Sequence, residues 1–105
     1  MSTVFKALAD PTRRKVLQLL QERGSIGAGE LAEMFDVSKP TMSAHFAVLV
    51  SAGLIEAEKQ GRHVTYRLKL SVLEEALLAF AQMFGLQVTR PEDGHSEAGS
   101  KQEKS

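Results

Sequence analysis

The chain has 105 residues, 43% of them hydrophobic, and its 13 Lys and Arg balance 13 Asp and Glu to a formal net charge of zero. That is enough for one cored domain and a short appendage, which excludes a wholly disordered chain. The lack of cysteine excludes disulfides, thiolate nucleophiles and thiolate metal sites, and fits a reducing cytoplasm. Met1-Ser2-Thr3-Val4-Phe5-Lys6 has no signal-like apolar run, and no stretch approaches the ~20 apolar residues of a membrane span, so no membrane partner is expected.

Zero net charge counts at first against nucleic acid, but its distribution matters more. Residues 1–90 hold 11 Lys and Arg against 9 Asp and Glu, whereas the last 15 residues hold 2 Lys against 4 acids. Any DNA-binding face must therefore be local, made by segregating charge across the fold.

In chain order, Thr3 to Leu8 can form a short helix presenting Val4, Phe5 and Leu8. Asp10-Pro11 has the form of an N-cap followed by proline at the first helical position, where its missing N–H costs nothing. The helix it opens carries Val16, Leu17, Leu19 and Leu20 and stops at Gly24. Ser25-Ile26-Gly27 is a short extended link into a third helix, about Ala28 to Phe35, that buries Leu31, Ala32 and Met34 or Phe35. Asp36-Val37 turns tightly into Ser38, an N-cap, with Pro40 in the first turn of a fourth helix ending near Ala52-Gly53.

Two alternating runs follow, Leu54 to Lys59 and His63 to Leu68, around Gln60-Gly61-Arg62; this predicts a β-hairpin. A last helix spans about Ser71 to Phe84, with Gly85 as its stop. The expected fold is mainly α (α+β): a winged helix-turn-helix of about five helices with a β-hairpin wing. The boundaries are 1–86 for the domain and 87–105 for a disordered polar tail.

At ~100° per residue, Met42, Phe46 and Leu49 share the inner side of the fourth helix. Pro40, Ser43, Ala44 and Ala47 point the opposite way, with Thr41 and His45 on the flanks. A merely solvated face would carry Glu, Lys and Arg; small side chains let a helix backbone sit deep in a major groove about 12 Å wide. Thr41 and Ser43 can hydrogen-bond to base edges or phosphate, Ala44 can meet a thymine methyl, and Lys39 can reach guanine or phosphate. The plainer alternative is Ala and Ser chosen for helix propensity.

Lys59, Arg62, His63 and Arg67 are expected at or near the wing tip, with Arg62 the foremost contact to the adjacent minor groove or backbone. The run Arg13-Arg14-Lys15 suits phosphate or plain solvation equally. His45 is weighed between a phosphate or base contact and a packing role.

The residues Phe5-Lys6-Ala7-Leu8-Ala9-Asp10-Pro11-Thr12-Arg13-Arg14, Gly29-Glu30-Leu31-Ala32, Ser38-Lys39-Pro40-Thr41-Met42-Ser43-Ala44-His45, Ala52-Gly53-Leu54-Ile55 and Gly61-Arg62-His63-Val64-Thr65-Tyr66-Arg67-Leu68 resemble the ArsR-type (arsenic-repressor-like) winged-helix family of prokaryotic repressors. The resemblance covers about residues 3–84. It implies a dimer that represses its own or neighbouring operons and leaves DNA when an inducer binds. Many members sense metals through cysteines before the recognition helix, others through Asp, Glu and His in the last helix. Here Glu30-Leu31-Ala32-Glu33-Met34-Phe35 has no cysteine and the last helix no histidine, so the chain resembles the subgroup of autorepressors without metal sites. No cofactor is expected, and the inducer is unknown.

Leu73, Leu77, Phe80 and Phe84 form one apolar stripe on the last helix, widened by Ala76, Ala79 and Met83. With Phe5 and Leu8 they are the expected homodimer interface; the alternative is packing within one domain. Paired recognition helices ~34 Å apart would read a palindrome on double-stranded DNA. His45, His63 and His95 have no ligand spacing on one helix, and adjacent Glu74 and Glu75 diverge, so neither a metal site nor an acid–base pair is expected. Ser43 and His45 face different ways without an acid or oxyanion feature, which speaks against an enzyme. Two rivals remain: a ligand-gated or metal-gated sensor repressor of the same fold, and a winged-helix protein-interaction module.

Overall fold

The computed structural model describes residues 2–87. The expected polar tail, 87–105, lies outside the described residues except for Gln87. The elements run α1 (Ser2–Leu8), α2 (Pro11–Arg23), β1 (Ser25–Gly27), α3 (Ala28–Glu33), α4 (Lys39–Ser51), β2 (Ile55–Gln60), β3 (His63–Leu68) and α5 (Leu70–Met83).

Two of these starts are set by local chemistry. Asp10 adopts extended backbone and its carboxylate accepts from the Arg13 N–H at 3.1 Å, with Pro11 beginning α2. Ser38 caps α4 in the same manner, accepting from the Thr41 N–H at 3.4 Å. Both caps satisfy a first-turn donor that would otherwise have no partner in the helix.

The expected helix from Ala28 to Phe35 is shorter, ending at Glu33, and Phe35 rather than Met34 turns toward the core; Met34 is 38% exposed. The link Ser25–Gly27 is a strand. It pairs antiparallel with β3, Ser25 opposite Arg67 and Ile26 opposite Tyr66, so the sheet has the order β1-β3-β2. Three residues are too few for a visible alternation, and the pairing becomes evident only when the hairpin lies beside them.

The hairpin pairs Ile55 with Leu68 through Gln60 with His63, leaving Gly61-Arg62 as its two-residue turn. Gly61 has φ 62°, the positive value that a tight hairpin turn requires at its first central position. Arg67, expected near the wing tip, stands near the base instead, where its guanidinium lies 3.4 Å from Glu56; Lys69 reaches the same carboxylate at 3.3 Å.

The core lies where the three-helix part meets the sheet. Val16, Leu20, Leu31, Met42, Leu49, Leu54 and Ile55 are all buried, and no polar or charged residue among those described is buried with them. Phe46 and Tyr66 pack with ring centroids 4.8 Å apart, tying α4 to β3. This contact anchors the inner face of α4 and leaves its opposite face outward.

Candidate nucleic-acid interface

The fourth helix divides as its periodicity requires. Met42 and Leu49 are fully buried and Phe46 almost so, while Lys39, Pro40, Thr41, Ser43, Ala44 and Ala47 are exposed. The outward surface of α4 is therefore a strip of small side chains with one lysine at its start. Along its C-terminal half the strip continues into an open groove of about 280 Å³ against α1, lined by Thr3, Lys6, Ala47, Val48, Ser51 and Ala52.

Thr41 is less free than its position suggests. Its hydroxyl accepts from Ser38 Oγ at 2.9 Å while its N–H donates to that same oxygen. Ser43 is exposed and makes no such contact among the described residues.

On the wing, Lys59, Arg62 and His63 are exposed and gathered at the tip, with Gln60 opposite His63. Arg67 is held at the sheet base by Glu56. The carboxyl of Glu56 lies below its ordinary value because Lys69 and then Arg67 hydrogen-bond to its charged form. The wing's positive charge is thus concentrated at the turn.

His45 is set apart from the other residues expected at this interface. Its side chain is only 15% exposed and turns toward the start of α2. There Nδ1 lies 3.2 Å from Arg13 NH1 and Nε2 lies 3.9 Å from an Asp10 carboxylate oxygen. Asp10 is held below its ordinary pKa, chiefly by the Arg13 backbone N–H.

The basic run has a function that spacing alone did not disclose. Arg13 donates from Nε to the Ala7 carbonyl at 2.8 Å and from NH2 to the Lys6 carbonyl at 3.0 Å; Arg14 donates to the Leu8 carbonyl at 2.7 Å. These are C-terminal carbonyls of α1, where a helix leaves acceptors without its own donors; the Lys6 carbonyl also accepts from the Ala9 N–H at 3.2 Å. The available signal was a pair of arginines a few residues past the end of a short helix.

The expected dimer residues fall into two groups. Leu77, Phe80 and Phe84 are exposed, at 46%, 43% and 65%, and Met83 and Leu86 extend their surface. The Phe5 ring packs tilted against Phe80 at 4.8 Å, and Phe80 meets Phe84 edge-on at 5.3 Å. Leu8 and Leu73 are partly buried and pack on the domain's own core. Among the described residues, no group of three or more His, Cys, Asp or Glu is placed to hold a metal ion, and no helix is long and apolar enough to cross a membrane.

The helix pair α3 and α4, with the second helix turned outward and a hairpin with a basic turn beside it, defines a winged helix-turn-helix regulator. Residues 8–58 match a helix-turn-helix domain family. The chain is 43% identical over 77 residues to the transcriptional repressor SdpR of Bacillus subtilis, covering 73% of this chain and 84% of that one. A crystal structure of an ArsR family transcriptional regulator is similar at 34% identity and TM-score 0.66, covering 83% of this chain and 92% of the other. An ArsR-like transcriptional regulator from Rhodococcus sp. RHA1 reaches TM-score 0.71 at 31% identity, over 79% of this chain and 75% of that one. The chain belongs to the ArsR family of winged-helix transcriptional repressors.

Proposed function

We propose that the protein is a metal-independent autorepressor that binds a palindromic operator as a homodimer in the cytoplasm. The observation that carries this reading is the outward strip of α4, Lys39, Pro40, Thr41, Ser43 and Ala44, all exposed and small beyond the first lysine. Such a surface admits the helix deep into a major groove, where Ser43 and Thr41 reach base edges and Ala44 a thymine methyl. Lys39, Arg62 and His63 supply phosphate or minor-groove contacts at either side. In this reading His45 acts from behind the helix rather than at the bases.

Dimerisation supplies the second half-site. Phe5, Leu77, Phe80 and Phe84 form a joined aromatic and aliphatic surface on α1 and α5, and leaving it in water is costly at ~25 cal/mol per Å² of apolar area. A two-fold axis through this surface would cover it on both copies. Metal independence is supported by the cysteine-free sequence and by a last helix that carries no histidine.

The test is titration of the full chain against its own promoter and against random duplex at graded salt. The proposal expects an operator complex roughly 10³-fold tighter or more than the random one, with affinity falling steeply with salt. No binding to either DNA at low salt would move the fold to a protein-interaction role.

A further inference from the structure

We propose that Arg13 is a positioning residue that locks the recognition helix α4 to α1, and through α1 to the surface where two copies meet. It thereby sets the separation of the paired recognition helices. This rests on the dimeric operator-binding reading above and adds to it a residue that need not touch DNA.

All three nitrogens of the Arg13 guanidinium are engaged within the protein. Nε and NH2 hold the Ala7 and Lys6 carbonyls at 2.8 and 3.0 Å, and NH1 meets His45 Nδ1 at 3.2 Å. From its place on α2, one planar fork joins the end of α1 to the middle of α4. A guanidinium only donates, so His45 Nδ1 is the acceptor in this contact, and the other ring nitrogen, Nε2, faces Asp10 at 3.9 Å.

The contact has reach because of what α1 carries. With seven residues, α1 is too short to hold an orientation on its own helicity. Its pose depends on Val4 and Ala7 in the core, on the bonded carbonyls and on Phe5 packed against Phe80. A continuous path therefore runs from the Phe80 surface through Phe5 and α1 to Arg13, and from there through His45 into α4. Recognition helices that must lie ~34 Å apart magnify a small tilt at this joint into a mismatch with the half-sites. A lysine would keep the charge but lacks the fixed fork that serves three acceptors at once.

The experiment compares the full-length wild type with Arg13→Lys, His45→Asn and His45→Leu. Each is titrated on the operator, on operators with a base pair inserted between or removed from the half-sites, and on random duplex; dimer mass is followed by sedimentation. Asn places Oδ1 where the imidazole has Nδ1, so it retains an acceptor for Arg13, and both His45 variants leave the α1 carbonyl bonds in place should Arg13→Lys fold poorly.

The expected result is an intact dimer with operator affinity about tenfold weaker for Arg13→Lys and His45→Leu, His45→Asn within about threefold of wild type, and random-duplex binding and salt slope unchanged. The spacing preference broadens in the two weakened variants, and Arg13→Lys/His45→Leu loses no more than either alone. Equal losses on operator and random DNA with a shallower salt slope would make Arg13 a phosphate contact and overturn the proposal. So would His45→Asn as poor as His45→Leu, or an unaltered spacing preference. A wild type that binds no operator refutes the function itself and this inference with it; a wild type that binds while Arg13→Lys matches it refutes the inference alone.

Discussion

Phe5 of α1 and Phe80 of α5 pack at the surface with tilted rings, centroids 4.8 Å apart, beside exposed Leu77 and Phe84. Two helices from opposite ends of the domain thus contribute to one apolar patch. Phe80→Glu places a charge at its centre, where burial against a second copy would leave it unpaired. The expected outcome is a folded monomer in sedimentation with operator affinity reduced far more than random-DNA affinity. A dimer that persists at micromolar concentration would place the interface elsewhere.

The order of elements was legible because each carries its own punctuation: Asp10-Pro11, Ser38 and Pro40, and glycine at 24, 53, 61 and 85. The inner and outer faces of α4 followed from periodicity, since Met42, Phe46 and Leu49 recur at helical spacing. What stayed hidden depends on contacts between distant segments. Ser25–Gly27 becomes a strand only through β3, and Arg67 stands away from the wing tip because the register set at Gln60 and His63 places it opposite Glu56 near the base. The Arg13–His45 contact joins residues on different helices, and no local pattern distinguishes it from a solvated basic run. Leu8 and Leu73 were grouped with the dimer stripe because spacing finds an apolar face without saying which edge of it meets the domain's own core.

Ser43 and Arg62 provide a contrast between base reading and phosphate neutralisation. Ser43 is exposed on α4 without an internal partner, so Ser43→Ala should cost roughly 1–3 kcal/mol on the operator and little on random duplex. Arg62→Ala should weaken both and flatten the salt dependence by about one unit of slope. Thr41→Ala is a less clean probe, because the Thr41 hydroxyl accepts from Ser38 and its loss also disturbs the helix cap. Equal losses for Ser43→Ala on both DNAs, measured by anisotropy titration, would remove it from base reading.

Glu56 links pH to the stability of the wing. Hydrogen bonds from Lys69 and Arg67 favour its charged form and lower its pKa from the ordinary 4.5. A carboxyl whose folded value is depressed contributes stability that is present above its unfolded value and is lost as pH falls through the folded one. The contribution is therefore complete at neutral pH and disappears below 4.5. Glu56→Gln should lower the melting temperature at pH 7 and make the acid limb of the melting curve shallower. Parallel acid limbs for wild type and variant would mean that these contacts add nothing to folding.

Metal should leave operator binding unaltered. The described residues provide no cluster of ligands, and the helix before the recognition helix, α3, has only Glu30 and Glu33 as candidate donors. Glu30 is already paired with Arg23 at 2.7 Å, and carboxylates alone are poor partners for zinc, which favours sulfur and imidazole, and poorer for thiophilic ions. Operator titrations of chelator-treated protein, repeated with Zn²⁺ and with arsenite at micromolar excess, should superimpose within about twofold, below the ~0.4 kcal/mol that would register as coupling between sites. Release of DNA by Zn²⁺ but not by Mg²⁺ would reveal a site assembled between two copies, and the protein would then be a sensor rather than a simple autorepressor.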